Sequence, residues 1–139
     1  MKIAVMMDPL DKIKAYKDST VAMLKSAQLL GWSCDYFTQK DLYCQQGRAY
    51  AQVSSIKIGD ETSEHWAEVG SRTEKPLNEF DIILMRKDPP FDMEYIYSTY
   101  ALELAEREGV LVANKPQSLR DANEKAFTQW FPQCCPPTL

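Results

Sequence analysis

The side chains best equipped for chemistry in this 139-residue chain stand just after its apolar runs: Asp8 after the first, Arg86, Lys87 and Asp88 after the central one, and Lys115 after the last. A fixed guanidinium suits a carboxylate and a carboxylate suits an ammonium, so the set fits a small zwitterionic or carboxylate-bearing ligand. Arg86 could equally neutralise Asp88 within its own loop, and Asp8-Pro9 on its own is an ordinary turn. Other chemistries lack their parts. His65 stands alone between Glu64 and Trp66 in a polar stretch and reads as a surface residue, not the base of a nucleophile. Cys34, Cys44, Cys134 and Cys135 form no CxxC, and a vicinal pair cannot supply a normal zinc half-site, so no metal site made of protein ligands alone is expected. The five glycines are isolated, which leaves neither GxGxxG nor a P-loop and disfavours a dinucleotide pocket.

The elements that must position these residues follow from the pattern. Lys2 to Met7 reads as a buried strand stopped at Asp8-Pro9, and a Lys-rich loop follows. Asp18 or Ser19 caps a helix running to about Leu30, with Met23, Leu24, Ala27 and Leu30 as its apolar face and Gly31 as its stop. Cys34 to Phe37 is a second strand. From Lys40 to about Asn78 the chain is polar, and the alternation from Ala49 to Ile58 predicts one or two edge strands. Asp81 to Arg86 is the strongest strand, ended by prolines. Asp92 caps a helix whose apolar face is read as Met93, Ile96, Tyr97, Tyr100, Ala101 and Leu104. Val110 to Ala113 is the next strand. Asp121 to Glu124 then has capping-box spacing before a helix carrying Ala126, Phe127 and Trp130. The order predicts an α/β fold with an open, mostly parallel Rossmann-like sheet, flanking helices and an edge hairpin. In such a sheet ligands bind beyond the carboxyl ends of the strands, where the charged loops converge.

Composition sets the outer limits. Twenty acidic and 16 basic residues give a net charge of −4, with the bases scattered, so no nucleic-acid partner is expected. No apolar run approaches the ~20 residues of a spanning helix, and the N-terminal run meets an acid too early for a signal peptide. The expectation is a soluble, cytoplasmic protein with no membrane partner. The Pro-rich end, Pro136 and Pro137 before Thr138 and Leu139, has the character of a linker toward a further domain.

Two runs carry a resemblance. Ile83 to Asp92 (ILMRKDPPFD) and Asn114 to Asp121 (NKPQSLRD) followed by Asn123, Glu124 and Lys125 are similar to bacterial glutathione synthetases of the ATP-grasp ligase family. Shorter stretches fit too: Met7-Asp8-Pro9, Lys17 to Thr20, Ala22 to Leu24, Asp41 to Tyr43 and Tyr95 to Tyr100. The resemblance implies the ligation of γ-glutamylcysteine to glycine with ATP and Mg2+, through an acyl phosphate. It also implies a pre-ATP-grasp N-terminal domain over residues 1–121, with 122–139 leading toward an ATP-grasp domain outside this chain. ATP and Mg2+ would be held mainly there, and the isolated piece would be inactive, with no catalytic residue and no metal ligand of its own. Lys125 resembles the lysine that reaches ATP phosphate. Arg86, Lys87 and Asp88 would wall the dipeptide and glutathione site, and Asp18 and Ser19, at a helix N-terminus, would meet a carboxylate through backbone amides. The similar bacterial enzymes are homo-oligomers, commonly tetramers. An apolar surface around Phe127, Trp130 and Phe131 is expected where the missing portion docks. The alternative reading is a freestanding Rossmann-like module for small-molecule binding or protein interaction.

Overall fold

A computed structural model describes every residue except Asp88, Pro89, Asn123, Thr138 and Leu139, and for Glu124 and Lys125 the backbone alone. Seven strands form one sheet: β1 (Lys2–Met6), β2 (Ser33–Phe37), β3 (Leu42–Gln45), β4 (Arg48–Ile58), β5 (Ala67–Pro76), β6 (Ile82–Met85) and β7 (Leu111–Ala113). Their order is β3-β4-β2-β1-β6-β7, with β5 on β4 as well. The central half, β2-β1-β6-β7, is wholly parallel, and the β4 half is antiparallel. The Rossmann-like reading therefore stands. The polar stretch after Lys40 contains three strands, one more than its pattern predicts. β5 is exposed along most of its length and gave little apolar alternation to read.

β1 is apolar on both sides because it is covered on both. Ile3, Val5 and Met7 face α1 (Ser19–Leu29), while Ala4 and Met6 face α2 (Met93–Arg107). On the α2 side the core is built by Phe37, Val53, Leu77, Ile83 and Leu102. Both helices begin where the sequence places them. The Asp18 carboxylate accepts from the amides of Thr20 (2.7 Å) and Val21 (3.1 Å), and Asp92 accepts from Tyr95 N–H (2.9 Å).

The faces of both helices need correction. α1 buries Thr20, Val21, Leu24 and Ala27, whereas Met23 and Leu30 are exposed. α2 buries Tyr95, Ser98, Thr99, Ala101, Leu102 and Ala105, leaving Met93, Tyr97 and Tyr100 exposed. The inward face of α2 contains hydroxyls whose bonding needs are met on the spot. Ser98 Oγ donates to the Glu94 carbonyl (2.8 Å) and Thr99 Oγ1 to the Ile96 carbonyl (2.6 Å). A satisfied hydroxyl is cheap to bury, and its small side chain lets the helix approach the sheet closely.

A further helix, α3 (Pro116–Asp121), follows β7 directly. Pro116 opens it, and Asp121 is its last residue, not the cap of the next helix. Arg120 fastens α3 to α2: its guanidinium donates to Glu103 (2.6 Å) and Thr99 Oγ1 (2.9 Å) and lies 4.3 Å over the Tyr100 ring. That contact holds the Glu103 carboxyl below the usual carboxylate range, with Arg107 adding to it. The short α4 (Glu124–Phe127) comes next, and the rings of Phe127, Trp130 and Phe131 cluster at 5.1 and 5.7 Å. Trp130 is 75% exposed and Phe131 46%, so the expected apolar surface is present. No helix among the described residues is long and apolar enough to cross a membrane.

Candidate functional site

β1 sends the chain one way, to α1 and β2, and its neighbour β6 sends it the other way, to α2 and β7. Side chains diverging from that reversal leave a crevice at the carboxyl ends of β1 and β6. A cleft of about 320 Å³ lies there. Its walls come from Asp8 after β1, Asp18, Ser19 and Thr20 at the start of α1, Arg86 and Lys87 after β6, and Asn114 after β7. Tyr95 and Leu119 complete it from α2 and α3. The loops ranked from sequence therefore open on one edge, as expected.

Arg86 is set by the sheet itself. Its amide donates to the Met6 carbonyl at 2.8 Å, extending the parallel ladder one rung beyond β6. From there the guanidinium reaches the first turn of α1, with Nη2 donating to Ser19 Oγ (3.0 Å) and Nε to Thr20 Oγ1 (3.3 Å). Among the described residues no carboxylate pairs with it. A helix N-terminus is the positive end of the helix dipole and repels a cation. The guanidinium is thus held by neutral hydroxyls where electrostatics disfavours it, and an anion between Arg86 and α1 would relieve both.

The neighbouring groups are differently committed. Lys87 Nζ lies 3.2 Å from Asp8 Oδ1, with the lysine side chain 13% exposed, so this pair is a buttress of the cleft. Asp18 lines the cleft but occupies the Thr20 and Val21 amides itself, so those two donors already have an acceptor. Asp88 lies outside the described residues, as does the side chain of Lys125. Lys115 is exposed and contributes no wall, whereas its neighbour Asn114 does. Next to the cleft, and sharing Asp8, Asp18 and Lys87 with it, is an open depression of about 640 Å³ edged by Lys12, Lys14 and Lys17. None of these three lysines has an ion pair among the described residues.

Sequence reasoning missed Thr20, Tyr95 and Leu119. Thr20 had a signal, since it follows the cap in the same run as Asp18 and Ser19. Tyr95 and Leu119 had none, because only the crossing of α2 and α3 behind the strand ends brings them in. His65 is exposed, as expected, in the β4–β5 loop.

The parallel core and the reversal between β1 and β6 define an α/β domain of Rossmann-like topology, with the charged cleft at its strand ends. Residues 1–120 match the prokaryotic glutathione synthetase N-terminal domain, and the chain belongs to that family. It is 52% identical over 139 residues to the glutathione synthetase of Pseudomonas putida, covering all of this chain and 44% of that protein. The enzymes of Pseudomonas syringae pv. tomato (52%, all of this chain, 43% of the relative) and Pseudomonas aeruginosa (50%, all of this chain, 44%) are similarly close. The chain spans less than half the length of these curated relatives.

Proposed function

We propose that this chain is the N-terminal, substrate-binding portion of a glutathione synthetase, the ligase that joins γ-glutamylcysteine to glycine with ATP. The observation that carries the reading is Arg86. Its guanidinium is fixed by the β6 ladder, oriented by Ser19 and Thr20, and unpaired with any carboxylate among the described residues. Such a group binds a substrate carboxylate, with Lys87, held by Asp8, as a second cation beside it. Asp88 is assigned to the same wall. Ser19 acts through its hydroxyl, and Asp18 by keeping the first turn of α1 in place.

Lys125 is proposed as this chain's contact to ATP phosphate. Among the described residues the cleft offers magnesium no uncommitted carboxylate: Asp8 is paired with Lys87, and Asp18 caps α1. ATP and Mg2+ are therefore assigned mainly to residues outside this chain, and so is the catalytic machinery. ATP, when bound, activates the dipeptide carboxylate as an acyl phosphate. The domain portion is assigned to 1–121, with 122–139 leading onward, and the protein to the cytoplasm as a homo-oligomer.

Phosphate release with γ-glutamylcysteine, glycine and ATP tests this reading. The 139-residue chain alone should release none, and a chain completed to the length of its relatives should turn over. In the completed chain Arg86→Met should raise KM for the dipeptide at least tenfold and leave KM for ATP nearly unchanged. A completed chain without turnover, or an Arg86→Met effect confined to ATP, would overturn it.

A further inference from the structure

The open depression beside the cleft runs against the charge of the chain as a whole. The chain carries −4, yet the walls of this depression hold Lys12, Lys14, Lys17 and Lys87 against only two acids, Asp8 and Asp18. Both acids are committed within the fold: Asp8 to Lys87 at 3.2 Å, and Asp18 to the first amides of α1. Asp11, in the same loop, is exposed and forms no part of the wall. Lys12, Lys14 and Lys17 meet no carboxylate among the described residues. Cations gathered in this way repel one another, and a bound anion relieves that repulsion.

The loop that carries these lysines is anchored. They stand on and between two single turns of 3-10 helix, Leu10–Lys12 and Ala15–Lys17. The Lys12 amide donates to the Pro9 carbonyl (2.9 Å) and the Lys17 amide to the Lys14 carbonyl (3.1 Å). Leu10, Ile13 and Ala15, interleaved with the lysines, pack into the core on the α1 side of the sheet. The apolar residues hold the backbone down and leave the charged ones at the rim, so little loop ordering is required when a ligand arrives.

We infer that this depression is a binding site for a chain of linked phosphates, of the length of a triphosphate. A lysine ammonium is a compact charge whose three donors turn to meet acceptors from any side, and a phosphate chain carries charge and acceptor oxygens along its whole length. Lysines spread around an open hollow match that distribution. The planar oxygen pair of a carboxylate is matched instead by the fork of Arg86, which does not line the depression. Apart from Ile13 and Pro90 the described wall is charged throughout and includes no aromatic ring, so it gives a nucleobase no surface to stack on. The phosphates alone are recognised, whether free as inorganic tripolyphosphate or at the end of a nucleotide. The site is separate from the Arg86 seat and is measured without peptide, so its failure is distinct from failure of the ligase reading.

Calorimetric titration of the 139-residue chain with sodium tripolyphosphate, in low-salt buffer without divalent metal, tests it. Saturable binding of one tripolyphosphate per chain is expected, weakening as salt is added. Lys12→Gln combined with Lys14→Gln, both at exposed positions, should weaken it about tenfold or more with circular dichroism unchanged. Lys40→Gln combined with Lys57→Gln removes the same charge from exposed positions elsewhere and should change the affinity less than about twofold, as should Arg86→Met. ATP should bind about as tightly as tripolyphosphate, and inorganic phosphate about tenfold more weakly or worse. Absence of saturable binding, an equal loss in the Lys40 and Lys57 pair, or binding abolished by Arg86→Met would overturn the inference. So would inorganic phosphate that binds as tightly as tripolyphosphate, or ATP that binds more than about tenfold tighter, since the first needs no chain and the second reads a nucleobase.

Discussion

The two halves of the sheet use their charges in opposite ways. In the antiparallel half, cations meet carboxylates of the fold: Lys75 with Asp35 at 2.6 Å, Lys57 with Glu68 at 3.5 Å, Arg48 with Glu108 at 3.0 Å, and Arg72 with Asp41. At the carboxyl edge of the parallel half, Arg86 has two hydroxyls, and Lys12, Lys14 and Lys17 have no ion pair among the described residues. Lys57 and Glu68 face each other across the β4–β5 ladder, and the other three cations of β4 and β5 reach acids on neighbouring elements. Parallel strands deliver their ends to one edge together, and the loops beyond them collect like charges that the fold itself does not neutralise. Paired charge in this molecule maintains structure. In the cleft one pair, Lys87 with Asp8, stands beside an Arg86 that no carboxylate meets among the described residues.

The comparison can be broken at several points. Ile83→Ala, in the fully buried centre of the parallel half, should cost about 3 kcal/mol of stability in urea unfolding, because β6 loses packing on the α2 side. A loss below about 1 kcal/mol would mean that the parallel half does not anchor the fold. Lys75→Met should cost about 2 kcal/mol by leaving the buried Asp35 without its partner, and it should not alter ligand affinity. Arg86→Met is expected to do the reverse. Affinity for a dicarboxylate peptide should fall about tenfold or more, while the unfolding midpoint stays level or rises slightly as a cation leaves the α1 N-terminus.

Arg120→Met should destabilise by about 1 kcal/mol at pH 7, since Thr99 loses a donor and Glu103 a partner. The Glu103 carboxyl is lowered in the folded state, so this stabilisation is full above the ordinary Glu range and is lost as pH falls through the lowered value. The gap between wild type and Arg120→Met should therefore narrow on acidification; a gap that widened would contradict the assignment. The smallest effect belongs to the lysine rim. Replacing Lys12, Lys14 and Lys17 with Gln should slow association of an anionic ligand about threefold at low salt and flatten its salt dependence, as stopped-flow binding would report.

The parallel half was legible because its signals are local. A doubly buried strand is a continuous apolar run, Asp18 and Asp92 announce their helices, and the strand-end rule places Arg86 and Asp8 on one edge. The antiparallel half was not, because β5 is mostly exposed and is set by its pairing with β4, including the irregular register between Ser54 and Ile56. The helix faces misled for a different reason. Residue type identifies Met23, Tyr97 and Tyr100 as apolar, but the faces turned to the sheet carry Thr20, Ser98 and Thr99, whose burial depends on hydrogen bonds within the fold. Tyr95 and Leu119 enter the cleft only through the crossing of α2 and α3, which no single segment encodes.

Central to the account is an Arg86 guanidinium left free for a ligand carboxylate, and the most direct test is a titration of the chain with γ-glutamylcysteine followed by amide NMR. Saturable shifts should centre on Asp8, Ser19, Thr20, Arg86 and Asn114, and Arg86→Met should abolish them while leaving the rest of the spectrum in place. Shifts scattered away from these residues, or a titration unchanged by Arg86→Met, would contradict the account.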